Sequence, residues 1–413
     1  MTRRLGVIFT AMILGVALNA PAYGQAPKPE ETKPAEIKPE EKKEEKPKTL
    51  WEEHVLFAYI ENSMVWNMGR SGRGHTNNEL RFYDNEDGYT FNMAEFSIKK
   101  DPSERYPFGY GLVLTAGIDS QKNHAIGIFR GDTDAYPFRN TAKVDLQEAY
   151  ASYLIPIGSG LTVKAGKFVT LLGYEVIESP NNLNFSRSFL YSFSIPLTHV
   201  GALLSYSPLP WLSITAGPVV GWDVADDNNS RMSVMGQFAV TAVKDLALTL
   251  NWITGPEQFN EDGNPRTVLD FIAAYTGVKN LTLALNVDYG WEYNEAALAA
   301  SGTRSNNDAS WWGWAAYAAY DWTEKLRTAI RLEYFQDTAG VRTLAAATGA
   351  GTRVALWDVT ATIQYKIWKG LVGRLEYRHD NANEKVFAIR APGYAPTGKS
   401  QDTMTLALYY SFF

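Results

Sequence analysis

Taken at every second position, residues 281 to 293 separate into two unlike sets. Leu281, Leu283, Leu285, Val287, Tyr289, Trp291 and Tyr293 form one, and Thr282, Ala284, Asn286, Asp288, Gly290 and Glu292 form the other. Side chains on a strand alternate faces with period two, so this is a long strand with one apolar and one polar side. The apolar side must be covered. If protein covers it, the chain is a large soluble sheet; if lipid does, the strand belongs to a membrane barrel.

The same alternation recurs along the chain. Strands are expected at 53–66, 89–101, 108–120, 144–157, 161–173, 199–208, 211–223 and 231–243, then at 246–257, 266–277, 281–293, 310–322, 326–337, 353–367, 371–382 and 401–413. That makes about 16 strands, an even number, so both ends of the sheet lie on one side. Most exceed the roughly 9 to 11 tilted residues needed to cross the hydrocarbon layer. Two-residue turns are expected within VKDL (243–246), VKNL (278–281), TEKL (323–326) and WKGL (368–371). Polar loops such as VADDNNS (224–230) and EDGNP (261–265) separate them. Short turns at one end and long loops at the other belong to an outer-membrane barrel.

The faces decide between the two coverings. Arg327, Arg331 and Glu333 oppose Leu326, Ile330, Leu332 and Tyr334; Arg374, Glu376, Arg378 and Asp380 oppose Leu371, Leu375 and Tyr377. No amphipathic helical run in 49–413 is available to cover the dry face, which leaves lipid. A closed barrel is the strand arrangement that leaves no backbone group unpaired there. The mean hydropathy of −0.24 is compatible, because only alternate residues meet lipid. Trp291, Tyr293, Trp311, Trp312, Trp322 and Trp368 stand near strand ends, where aromatic girdles form. The fold class is therefore all-β, a transmembrane antiparallel β-barrel.

The amino terminus carries Arg3 and Arg4, an apolar segment, then Ala22 and Gly24 before Gln25, the pattern of a cleaved signal peptide over 1–24. Residues 25–48 are dominated by seven Lys, seven Glu and five Pro, a composition that builds no core and reads as an extended periplasmic spacer. The barrel is assigned 49–413. Without Arg3 and Arg4 the formal net charge moves from −6 to −8, giving no support to nucleic-acid binding. There is no cysteine, hence no disulfide and no thiolate metal site.

One stretch is not explained by alternation. GYEVIESPNNLNFSRSFLYSFSIPLTHVGALLSY, 173–206, follows KAGKF at 164–168 and forms the third long loop. On Gly173, Tyr174, Glu175, Pro180, Asn181, Ser186, Arg187, Ser188, Pro196, His199 and Gly201, it resembles the beta-barrel porin family of the OmpL-like type. The resemblance implies a bacterial outer-membrane porin and brings no substrate with it. In general porins the third loop folds into the barrel and narrows the channel. An inward loop places Glu175, Glu178 and Arg187 in the water path, facing lumen residues Arg327, Arg331, Glu333, Arg374, Glu376 and Arg378. Opposed charges across a constriction filter ions by sign and size. The alternative is that Glu175 and Arg187 pair internally and hold the loop against the wall.

The expected function is passive diffusion of small hydrophilic solutes and ions across the outer membrane. A substrate-specific channel and a closed structural or adhesive barrel stay open as alternatives. Outer-membrane lipid, solutes and ions are the expected partners, with a homotrimer and a periplasmic contact through the spacer as further candidates. Histidines 54, 75, 124, 199 and 379 are too scattered for a ligand set, and no Ser, His and acid arrangement stands out. The acidic loops YDNEDGY (83–89) and DVADDNNS (223–230) lack the spacing of a calcium loop. No catalytic, cofactor-binding or metal-ligating residue is assigned.

Overall fold

The computed structural model describes residues 49–68, 88–128, 143–296, 300, 302, 308–343, 350–387 and 397–412. The signal peptide and spacer assigned to 1–48, His75, most of the acidic loop at 83–89 and the terminal Phe413 lie outside them.

Among the described residues, sixteen strands and a six-residue α-helix follow in chain order. They are β1 (His54–Asn67), β2 (Gly88–Lys100), β3 (Phe108–Ala116), α1 (Ile118–Asn123), β4 (Val144–Ile155), β5 (Leu161–Val169), β6 (Thr198–Leu209), β7 (Leu212–Val219) and β8 (Ser233–Val243). The second half comprises β9 (Leu246–Pro256), β10 (Pro265–Tyr275), β11 (Leu281–Glu292), β12 (Ala309–Asp321), β13 (Leu326–Asp337), β14 (Val354–Trp368), β15 (Leu371–Ala382) and β16 (Ser400–Ser411). Every strand pairs antiparallel with its neighbours in sequence, and β1 pairs with β16 from Tyr59↔Ser411 to Asn67↔Thr403, closing the barrel. Closure satisfies the backbone groups that an open edge would present to hydrocarbon.

The alternation sorts side chains as the sequence demands. On β15 Leu375 and Tyr377 are exposed outside while Arg374, Glu376, Arg378 and Asp380 are buried inside. On β16 the outer phase runs through Leu406, Leu408 and Phe412, with Thr403, Thr405, Ala407 and Tyr409 buried. Trp312 and Trp322 are exposed, as a girdle requires, but Trp311 is fully buried and points inward. Adjacent strand residues cannot share a face, so only one of Trp311 and Trp312 could join the outer belt.

Three strands stop four residues short of the alternating pattern, the seventh at Val219 rather than 223 among them. The third strand stops at Ala116 rather than 120, because Gly117 takes φ 132° and α1 begins at Ile118. The fifth stops at Val169 rather than 173, where the chain leaves the wall and Thr170 N–H donates to the Leu197 carbonyl. Of the four short turns, two have the expected two residues, with Asp245 and Gly370 in the left-handed region (φ 61° and 78°) that tight hairpins use. The other two are longer, 276–280 and 322–325. In the second, Thr323 Oγ1 accepts from the Lys325 and Leu326 amides and holds the wider turn.

Candidate functional site: the lumen and segment 170 to 197

Between β5 and β6 the chain hydrogen-bonds to inward-facing side chains on both sides of the barrel. Gly173 takes φ 90°, and its amide donates to Asp270 Oδ2 on β10 at 2.9 Å, while the Tyr174 amide donates to Asn286 Oδ1 on β11. Farther on, Gln147 Nε2 of β4 donates to Glu178 Oε1 at 2.6 Å, and Ser179 Oγ donates to Glu61 Oε1 of β1 at 2.7 Å. The return leg meets β14, β15 and β13. Asn184 Nδ2 donates to Thr362 Oγ1, the Phe185 and Ser186 amides to Glu376, and the Phe189 amide to Glu333 Oε2. A helical turn at Leu190–Ser194 then leads back, and Trp311 Nε1 donates to the Ser194 carbonyl. Segment amides thus find acceptors on lumen carboxylates, which supplies partners that buried backbone groups need.

The best-connected charges lie where β13, β14 and β15 meet this segment. Arg331 Nη1 contacts Glu175 Oε1 at 2.9 Å and the Ser186 carbonyl at 2.6 Å, and its Nη2 reaches Asp358 Oδ2 at 3.1 Å. Arg378 contacts Asp380 at 2.6 Å and Asp358 at 2.9 Å, and donates to the Arg187 carbonyl at 2.6 Å. Glu333 stands within 3.7 Å of Arg331 and 3.5 Å of Arg378. The planar fork of guanidinium suits such simultaneous contacts with carboxylates and carbonyls. All these side chains are buried, so each charge depends on the others for the solvation it has lost.

The remaining expected residues divide. Arg374 belongs to the same wall, donating to the Ser179 and Asn182 carbonyls and to Gln364 Oε1. Glu376 accepts the Phe185 and Ser186 amides. Arg187 donates to the segment's own Val176, Ile177 and Phe185 carbonyls, while the salt bridge of Glu175 goes to Arg331 on the wall. Arg327 is not part of this assembly. It makes a two-pronged pair with Asp321 at the short-turn end. His199 is fully buried between Thr170 Oγ1 and the Gly221 carbonyl; a carbonyl only accepts, so Nδ1 carries the proton. Asp223, from the second acidic loop, spends Oδ1 on the Leu197 and Thr198 amides.

Sequence reasoning missed a second cluster at the long-loop end. Arg342 lies over Trp222 and Trp311, its guanidinium 4.6 and 5.2 Å from the ring centres, and Nε donates to the Phe193 carbonyl. Burial and the neighbouring Arg266 hold its pKa down to about 10. Glu257 accepts from the Trp222 amide and Ser233 Oγ, and burial pushes its carboxyl up to about 7 against the pull of Arg266. Inward phase could have flagged Trp311, Asp358 and Asp270. Nothing local marks Arg342, Trp222 or Glu257, because they come from loops whose partners lie far along the chain.

A closed barrel with an apolar outer face and a charged interior is the fold of an outer-membrane porin. The chain belongs to the family described as Putative beta-barrel porin-2, OmpL-like, whose model matches residues 56–412. Solved structures share the fold at low identity. An anion-selective porin from Comamonas acidovorans is 10% identical over 87% of this chain and 99% of its own, with a TM-score of 0.55. Salmonella typhi OmpF in complex with daunomycin is 14% identical over 87% and 97%, also at 0.55. The trimer form of the Vibrio cholerae outer-membrane protein OmpT is 10% identical over 87% and 99%, at 0.52. No curated protein sequence matches the chain. The barrel is accordingly a porin-type channel of the outer membrane.

Proposed function

We propose that this porin passes small hydrophilic solutes and ions by passive diffusion, with segment 170–197 as its constriction and no covalent chemistry. The observation that carries the reading is the bonding of this segment to β1 and β4 on one side and β10 to β15 on the other. A segment so held sets a fixed gap, which filters by size, and its carboxylates and guanidinium groups filter by charge. Glu175, Arg331, Glu333, Arg374, Glu376 and Arg378 fix the segment against the wall. Glu178, tied to a neutral glutamine, faces the other side. Arg187 braces the segment internally, and Arg327 acts only at the periplasmic mouth. The signal peptide 1–24 delivers the chain, the 25–48 spacer remains periplasmic, and three barrels assemble through their outer faces.

Swelling of liposomes containing the purified protein tests the reading. In iso-osmotic sugars of increasing size, swelling should slow steeply above a cut-off. Failure to swell in any sugar or salt, from protein shown to be folded, would contradict it. A closed structural barrel would then explain the dense bonding of the segment.

A further inference from the structure

The outer wall of the barrel is not uniformly bulky. On β12, β13 and β14 the outward phase drops to Ala318, Thr328 and Ala361, with larger side chains above and below. The register sets these positions in two neighbouring rows. The lower row steps from Leu281 on β11 through Thr328 to Leu375 on β15, and the upper from Ala318 on β12 through Ala361 to Met404 on β16. Between the rows lies an apolar groove of about 590 Å³. Small-molecule pockets occupy roughly 300–1,000 Å³, so the hollow is of ligand size.

The course of the groove matches one leaflet of a bilayer. Leu281 opens β11 at the short-turn end, whereas Tyr377 in the upper row lies six residues beyond Leu371, where β15 opens at that same end. At about 3.3 Å per residue and a tilt near 45°, Tyr377 stands roughly 14 Å above the turns, close to the middle of a hydrocarbon core about 30 Å thick. The groove therefore climbs from the periplasmic rim to the bilayer midplane, the depth an acyl chain of the periplasmic leaflet spans.

Its two ends are preset, and the lower one is charged. Trp322 Nε1 donates to Thr328 Oγ1 at 2.9 Å, and the Trp322 ring meets Tyr320 edge-on at 4.8 Å. At the upper end Tyr377 Oη donates to Asp402 Oδ1 at 2.7 Å. Walls held by the protein's own bonds need little ordering when a chain enters. The Asp321 amide donates to the Asn280 carbonyl at 2.9 Å, which draws the 276–280 turn against the end of β12 and the turn that follows it. Lys279 and Lys325 are exposed on these adjoining turns, and neither forms an ion pair among the described residues. Asp321 is taken by Arg327, so Glu324 is the acid left against two lysines. Any lipid chain can wet an outer face, but a chain ending in an anionic headgroup uses the groove and the lysines together.

We propose that the groove across β11 to β16 holds one acyl chain of an anionic phospholipid from the periplasmic leaflet, with its phosphate at Lys279 and Lys325. The site belongs to the outer wall and does not depend on how the lumen conducts.

Native mass spectrometry tests it. The mature full-length protein, refolded free of lipid into detergent, is titrated with an equimolar mixture of phosphatidylglycerol and phosphatidylcholine. Wild type should retain one phosphatidylglycerol per barrel before any phosphatidylcholine. Ala318→Phe with Ala361→Phe should weaken that first site about tenfold, since displacing even two methylenes costs that much. Lys279→Gln and Lys325→Gln should each lower the preference for phosphatidylglycerol about fivefold and leave phosphatidylcholine binding unchanged. Ala151→Phe, on the outer face of β4 and outside the groove, should behave as wild type. If the filled variant does not fold, the lysine variants in exposed turns carry the test. Equal retention of the two lipids by wild type, or unchanged binding in the folded filled variant, overturns the site. Oligomers that exclude lipid and are lost on filling the groove also overturn it, by giving the groove to a second copy of the chain.

Discussion

Glu175 of the loop segment and Arg331 of β13 lie 156 residues apart in sequence and meet at 2.9 Å in the lumen. The pair is buried on both sides, and each partner has a second obligation: Glu175 Oε2 accepts the Ser188 amide, and Arg331 reaches Asp358. It joins the segment's internal fold to the barrel wall.

Arg331→Met should therefore be far more damaging than Glu175→Gln. Removing the guanidinium leaves Glu175, Glu333 and Asp358 short of a cation, and breaking a buried pair this way costs about 3–5 kcal/mol. The glutamine keeps an acceptor and costs less. Urea unfolding of refolded protein in detergent, followed by tryptophan fluorescence, measures both. Equal losses would show that Arg331 does not hold the carboxylates together.

Glu178 and Glu175 should part company in selectivity. Glu175 is neutralised by Arg331, whereas Glu178 is bonded to an amide. Glu178→Gln should reduce cation preference, and Glu175→Gln should change it less. The reverse order in reversal potentials would show that Arg331 does not compensate the charge of Glu175.

The legible part of the molecule was that governed by period two. The limits of β13 and β15 coincide with the alternating pattern because Arg327, Arg331, Glu333 and Asp337 on the first, and Arg374, Glu376, Arg378 and Asp380 on the second, keep one phase along the strand. The place of Arg331, Arg374, Glu376 and Arg378 inside the barrel followed from the same phase. Their partners did not. The carbonyls of Ser179, Asn182, Ser186 and Arg187 that satisfy these side chains belong to a segment without periodicity. Composition marks that segment as unusual but not as bonded to a particular strand. Trp311 failed for a related reason, since an aromatic near a strand end fits a girdle until its neighbour takes the outward phase.

The inward position of Trp311 depends on Gly290, its cross-strand partner on β11. A Cβ on Gly290 would stand 2.2 Å from the indole ring. Gly290→Val should displace the indole from the Ser194 carbonyl and from Arg342, altering near-ultraviolet circular dichroism while far-ultraviolet strand content stays. An unchanged near-ultraviolet spectrum would count against this packing.

Glu257 predicts a pH dependence of stability. Its carboxyl is raised from 4.5 to about 7 in the folded barrel, so the native state holds a proton that the unfolded chain has released. The folded state binds more protons across that interval, and stability falls as pH rises from about 4.5 to 7. Glu257→Gln should flatten that part of the profile. A parallel profile for the variant would show that Glu257 titrates normally.

Single-channel recording of the mature protein in a planar bilayer tests the central claim most directly. The account predicts discrete, voltage-tolerant steps whose size is unchanged when residues 26–48 are deleted and altered when Arg331 is replaced. Silence from protein shown by its gel migration before and after heating to be a folded barrel would contradict it.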